Sequence, residues 1–504
     1  MPGRFGSRMI RISSLCVIFA TSLLTYGYFR NEAGLNGRSR IALVRSLVED
    51  GTTRIDRLHM HAGDISYFQG HYYTNKAPGA SFLAVPAYAA FFALLKATLG
   101  EPDARAWVDR HAWRRGLYLS TVAAHAIPSA LALTFFFLVA TDLAGDRRRA
   151  LFATAAYGFG SLAFPYSTIF FGHQLAAVLL FLSFGLLARE RWRHHAMGVP
   201  WRRWPVALSG LAAGYAVVTE FPAAVPTLLI GLYLIWIVPK RRLISLYGLG
   251  VLLSGALLLI YNRASFGSFF AVGYSYLAIP GAELQAQGFL GVTYPKLSIL
   301  VEILFGFSRG LLPLTPVLVL SPLGFHRMWR GKVLRPEGVL CAAVASSYLL
   351  FNASYFFWHG GSSLGPRFVV AMLPFLYLPI AFALGQKIAL PGLLLLVSTA
   401  HMLAATAVDP VVPGTANTLF HYIYPRFLDT QLAIARGKAN WGAAFGLHGW
   451  ATLLPLLIVW VAASLFLITQ QTRPGDRARD DGGGETSGRD RAPGHSGTAH
   501  RDPR

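Results

Sequence analysis

Ser81-Phe82-Leu83-Ala84-Val85-Pro86-Ala87-Tyr88-Ala89-Ala90-Phe91-Phe92-Ala93-Leu94-Leu95-Lys96-Ala97-Thr98-Leu99-Gly100 is the run on which the topology turns. It is apolar enough to cross a bilayer, yet it contains Pro86 and Lys96. If it crosses, the short basic loops Arg147-Arg148-Arg149, 189 to 203, Lys240-Arg241-Arg242 and 327 to 335 fall on the side opposite Arg4, Arg8 and Arg11. If it does not, all of these basic residues share one side, as the bias of Lys and Arg toward cytoplasmic loops requires. The run 81 to 100 is therefore read as an interfacial or re-entrant helix against the outer leaflet.

The rest of the chain sets the class. Its 504 residues are 54% hydrophobic and only 13% charged, with a mean hydropathy of +0.46. A soluble protein carries about 25% charged residues. Apolar runs of about 15 to 25 residues, enough to cross a hydrocarbon core of roughly 30 Å as helix, recur near 12–29, 116–140, 150–169, 173–188, 206–220, 222–238, 243–262, 310–326, 337–356, 368–386, 388–407 and 448–470. The expected fold is an all-α polytopic membrane protein, a bundle of about 12 transmembrane helices over residues 1–470, with juxtamembrane helices in a first outer loop at 30–115. A β-barrel is excluded because alternating ten-residue segments are absent.

The apolar continuation of the first run to Phe29, with no small-residue cleavage site, favours a retained anchor in a bacterial inner or plasma membrane over a removed signal peptide. Residues 471–504 turn to Arg, Asp, Gly, Pro and Ser and read as a disordered cytoplasmic tail. The net charge of +22 sits largely in short inner loops and that tail, so nucleic acid is not an expected partner. Cys16 and Cys341 both fall in spans, which leaves no disulfide framework or thiolate metal site. The sequon Asn352-Ala353-Ser354 also lies within a span.

On this topology the unusual polar motifs collect on one face of the membrane. They are the loop ending in Gly70-His71-Tyr72-Tyr73-Thr74-Asn75-Lys76-Ala77-Pro78-Gly79, the segment Phe164 to Thr168 with Gly172-His173-Gln174, Glu220 at a span end, the 262 to 309 region, and Trp358 to Arg367. Lys76, between paired tyrosines and an Ala-Pro-Gly turn, suits a phosphate headgroup. Arg367 offers a planar fork for two phosphate oxygens, and Arg309 is a weaker candidate of the same kind. A general base needs a carboxylate on this face, and the candidates are Asp64, Asp56 and Glu32, with Glu220 a fourth. Asp56 is expected to pair with Arg54 or Arg57 in a strand-like or turn segment. His71, Tyr72, Tyr73, His173 and Glu220 would line the substrate pocket. His59, His61, Asp64 and His71 lie close in sequence but lack metal-ligand spacing, so neither a metal nor another cofactor is expected.

Val44-Arg45-Ser46-Leu47, Asp50-Gly51 and Tyr72 to Pro78 resemble the first outer loop of the GT-C superfamily of membrane glycosyltransferases. The likeness is to the branch containing protein O-mannosyltransferases and the aminoarabinose transferase of lipid A, whose members carry an aromatic-x-Lys-Pro-Pro element before a juxtamembrane helix. Gly365-Pro366-Arg367 adds to it. The resemblance implies a GT-C-like fold, a polyprenyl-phosphate sugar donor contacted by Lys76, and transfer on the outer face without an obligatory metal. It also exposes a departure: where the family has an Asp-Glu pair about nine residues before the arginine matched by Arg45, this chain has Asn36. The second acidic position, near the outer end of the third span, is occupied by Tyr166 to His173. The base is then a shifted carboxylate among Glu32, Asp56 and Asp64, or the chain binds donor without the usual chemistry.

The resulting reading is a glycosyltransferase taking a sugar from a lipid phosphate to an acceptor that is a glycan, a lipid or a protein. A transporter or flippase of lipid-linked glycans would place charged residues deep in several spans and show internal symmetry, neither of which is evident. A non-catalytic polyprenyl-phosphate-binding protein is the other alternative.

Overall fold

The computed structural model describes residues 12–32, 34–279, 282–430 and 439–472. Arg4, Arg8, Arg11 and nearly all of the 471–504 tail lie outside them. The described residues are mostly helical, with strands confined among them to two short antiparallel pairs, Ile65–Phe68 with His71–Thr74 and Phe29–Arg30 with Ala439–Asn440.

Among the described residues, six helices are long and apolar enough to cross a membrane: Gly79–Leu99, Trp113–Ala144, Gly172–Met197, Arg242–Phe266, Ala389–Val408 and Gly449–Gln470. The expected span at 337–356 is a continuous helix, Arg335–Ser354, and several others are shorter or broken. The run at 150–169 stops as a helix at Gly158 and resumes briefly at Ala163–Ser167. The runs at 310–326 and 368–386 divide into short helices, with boundaries beside Pro316, Pro374 and Pro379. Proline removes a backbone donor and clashes with the preceding turn, so hydropathy alone overstated the number of continuous helices.

The helix Gly79–Leu99 runs unbroken through Pro86. Its buried residues Ala80, Ala84, Tyr88 and Phe92 recur every fourth position and form one stripe, while the other faces remain apolar and uncovered. The stripe rests on the first-loop helix Gly34–Arg45 and on Trp113–Thr121. Glu49 fastens this junction: it accepts two hydrogen bonds from Arg45, at 2.6 and 3.0 Å, one from Tyr88 at 2.5 Å and one from Arg57.

The tightest helix pair is Arg203–Thr219 against Arg242–Phe266. A Cβ on Gly210 would lie 2.1 Å from the Tyr247 carbonyl oxygen, and one on Gly250 would lie 2.7 Å from that of Ala207. Small residues there let the two backbones touch, the usual means of helix association where lipid removes the hydrophobic drive.

The bundle has two chemically distinct ends. At one, Arg147 bonds Ser14, Arg189 pairs with Asp142 at 2.6 Å, and Arg191 and Tyr233 both bond the buried Glu337, at 2.7 and 2.8 Å. Arg327 caps the carbonyls of Phe382 and Ala383 there. The basic loops thus share an end with the start of the first helix. The helix Gly34–Arg45 and the hairpin Ile65–Thr74, with Gly172, Glu220 and Arg367, gather at the other.

Candidate functional site

The hairpin is the frame of the site. Gln69 and Gly70 both adopt positive φ, 48° and 84°, which is the two-residue turn whose twist matches that of the strands. Its register pairs Phe68 with His71 and Ile65 with Thr74. Asp64 and Asn75-Lys76 consequently emerge side by side at the open end, and Lys76 Nζ stands 3.0 Å from Asp64 Oδ2. Ser39 bonds the Asp64 carbonyl at 2.5 Å and Thr74 Oγ1 at 2.6 Å, pinning both strands to the helix Gly34–Arg45. Lys76 is buried, 5.5 Å from the centroid of the Tyr274 ring.

A second ion pair stands against the first. Arg40, fully buried, bonds Glu220 Oε1 at 2.6 Å, the Ala77 carbonyl at 2.8 Å and Asn36 Oδ1 at 3.1 Å. It thereby ties the backbone just after Lys76 to the end of helix Arg203–Thr219. His173 Nδ1 lies 3.6 Å from the same Glu220 oxygen. Gly172 allows this approach: a Cβ there would fall 2.3 Å from Glu220 Oε1 and 2.9 Å from Arg40 Nη2.

Arg367 completes the cluster in a different way. Its side chain is 7% exposed, and its guanidinium lies 5.7 Å from the Phe171 ring centroid and 5.0 Å from that of Phe368. No carboxylate among the described residues pairs with it, and its buried Nε has no hydrogen-bond partner. A buried cation without an anion is costly, whereas an anionic ligand placed there would offset its desolvation. Burial alone would raise the Asp64 carboxyl, but the charges of Lys76, Arg367 and Arg40 outweigh it and hold Asp64 below the usual carboxylate range. Asp64 is thus ionised at neutral pH and within electrostatic reach of all three cations.

Of the residues singled out in the sequence, Asp64, Lys76, His173, Glu220 and Arg367 come together here. The others take different places. Glu32 pairs with Arg38 at 3.3 Å and Arg114 at 3.1 Å. Asp56 does not pair with Arg54 or Arg57. It accepts from His71 Nδ1 at 2.8 Å and from the Tyr72 amide at 2.6 Å on the exposed side of the hairpin, because the neighbouring Ile55 amide donates to the Tyr72 carbonyl at 2.8 Å and holds the segment against the second strand. His71 is held outward with it, and Tyr72 stacks on His59 at 4.0 Å. Tyr73 packs into an apolar cluster with Leu43, Tyr261 and Phe266. Arg309 donates to Ser363 at 2.9 Å and to the Gly361 carbonyl at 2.7 Å, so its work is to hold the loop leading to Arg367.

Arg40 was not among the sequence candidates. Its one signal is a charge set among Ile41, Ala42, Leu43 and Val44, an apolar context in which a buried arginine needs a partner.

No family model matches the sequence, and no curated protein matches it. Solved structures similar to it include two of one protein. The crystal structure of ArnT from Cupriavidus metallidurans bound to undecaprenyl phosphate aligns at 14% identity with a TM-score of 0.49, covering 79% of this chain and 64% of that one. The apo state of the same protein aligns at 14% identity with a TM-score of 0.46, covering 75% and 60%. This chain spans less than two thirds of the ArnT chain.

Proposed function

We propose that this protein is a membrane glycosyltransferase that takes a sugar from a polyprenyl phosphate and passes it to an acceptor on the outer face of the membrane. The observation that carries the reading is the pairing of two buried cations around one carboxylate. Lys76 is paired with Asp64, whereas no carboxylate among the described residues pairs directly with Arg367. A phosphate lodged between them would satisfy Arg367 bidentately and take Lys76 from Asp64.

The chemistry follows from that exchange. Asp64, released beside the bound donor, accepts the proton of an acceptor hydroxyl. The acceptor oxygen forms a bond to the anomeric carbon as the bond from that carbon to the phosphate oxygen breaks, and its electron pair stays on the polyprenyl phosphate. The configuration at the anomeric carbon inverts. Negative charge on the phosphate grows along this path, so Lys76 and Arg367 stabilise the transition state more than the ground state. Glu220 is less suited to the proton transfer because Arg40 already holds it.

Sugar transfer by the purified protein in nanodiscs, against a panel of undecaprenyl phosphate sugars and beside Lys76→Ala, tests the reading. Turnover with one donor that collapses in the variant supports it. Donor binding without turnover for any donor and acceptor would replace it with a binding role.

A further inference from the structure

Buried polar side chains around the two ion pairs have hydrogen-bonding atoms with no partner among the described residues. Both amide atoms of Asn75 and of Asn352, the Tyr348 hydroxyl and His173 Nε2 are in this state. Asn75 is 1% exposed and Asn352 fully buried. Buried polar groups are nearly always paired, so several unpaired ones near a single point call for a ligand that pairs with them.

Their placement is consistent. Asn75 is the residue before Lys76, and His173 Nδ1 faces Glu220 at 3.6 Å. Tyr348 and Asn352 lie one turn apart on the buried face of the helix Arg335–Ser354, the face that also buries Cys341 and Val344. Tyr348 is within electrostatic reach of Glu220. Just beyond Asn352, Tyr355 packs 5.3 Å from the Phe368 ring and is within electrostatic reach of Lys76 and Arg367. The unpaired groups therefore border the phosphate position from two sides.

We propose that Asn75, His173, Tyr348 and Asn352 form a subsite for an uncharged, hydroxyl-rich sugar next to the phosphate. This rests on the transferase reading above and deepens it. A carboxamide offers both donor and acceptor, as does a phenol, and a sugar hydroxyl is likewise both. The charges argue against a charged sugar. Glu220 stays on Arg40, and an ammonium drawn to Asp64 once the phosphate has taken Lys76 would occupy the carboxylate that must accept the acceptor's proton. A sugar carboxylate would have to compete with the phosphate for Arg367, because Arg309 is engaged by Ser363 and Gly361.

The test compares the affinity of the full-length protein in nanodiscs for three lipids of equal length. They are the methyl phosphodiester of undecaprenol, undecaprenyl phosphate carrying a neutral hexose, and undecaprenyl phosphate carrying an aminopentose. The hexose lipid should bind about tenfold or more tighter than the methyl ester, the effect of one or two buried hydrogen bonds. The aminopentose lipid should bind no tighter than the methyl ester. In Tyr348→Phe, which removes one oxygen and keeps the shape, and in Asn352→Ala, the hexose-to-methyl ratio should fall toward one. Equal binding of hexose and methyl lipids by the wild type, preference for the aminopentose, or an unchanged ratio in both variants would overturn the subsite while leaving the phosphate reading standing. Failure of all three lipids to bind would overturn both.

Discussion

Lys76 Nζ and Asp64 Oδ2 stand 3.0 Å apart across the open end of the hairpin, so the lysine that would hold a phosphate already holds an internal carboxylate in its place. On the proposed reading, donor binding separates this pair, and Asp64 becomes available as the base only when the phosphate has arrived.

That exchange has a pH signature. In the free protein Asp64 is held below the usual carboxylate range by Lys76, Arg367 and Arg40 against the effect of burial. A bound phosphate neutralises part of that positive field and adds a nearby anion, which raises Asp64. The acid limb of kcat/KM, which reports free enzyme, should therefore lie at lower pH than the acid limb of kcat, which reports the donor complex. Coincident limbs in a pH-rate series would argue against Asp64 as the base.

Asp64 also links pH to stability. Its folded-state pKa lies below the unfolded value of about 3.9, so its contribution is present above that pH and is lost as pH falls through the folded value. Thermal midpoints of wild type and Asp64→Asn, measured from pH 7 downward, should converge only below about pH 4. In transfer assays the same variant should lose roughly 100- to 10,000-fold in kcat, with donor still bound.

Arg40→Gln leaves Glu220 buried without its cation and should destabilise the protein by about 3–5 kcal/mol. Adding Glu220→Gln removes the stranded charge and should restore much of that loss. Denaturation in detergent of both single variants and the double variant measures the coupling, and strictly additive losses would mean that the pair contributes nothing as a pair.

Gly172→Ala places a methyl group 2.3 Å from Glu220 Oε1 and 2.9 Å from Arg40 Nη2. The ion pair must shift, and with it the Ala77 carbonyl and Lys76. Transfer activity should fall at least tenfold, a displacement of about 1 Å at a site being enough for larger losses. Full activity in Gly172→Ala would show that the brace does not position Lys76.

These sites were unequally legible in the sequence. Asp64 and Lys76 are twelve residues apart in one loop, and their proximity could be read from the chain. Arg40 and Glu220 are 180 residues apart, and no local pattern links them. Asp56 was assigned the nearest arginines, but the register of the hairpin gave it His71 and the Tyr72 amide, while Arg57 turned to Glu49 and Asp109. Membrane character followed from hydropathy, because lipid demands apolar surface in long runs. The breaks at Pro316, Pro374 and Pro379 did not, because prolines within an apolar run lower its hydropathy little while interrupting its hydrogen bonds.

Arg367 is the residue on which the account depends, as a buried cation whose Nε has no partner among the described residues. The most direct measurement is the affinity of the protein in nanodiscs for undecaprenyl phosphate, comparing wild type with Arg367→Gln. The account predicts a loss of at least tenfold, the size expected when a charge-assisted hydrogen bond is removed. Equal affinity in the two proteins would contradict the assignment of Arg367, and with it the site, to a lipid-linked phosphate.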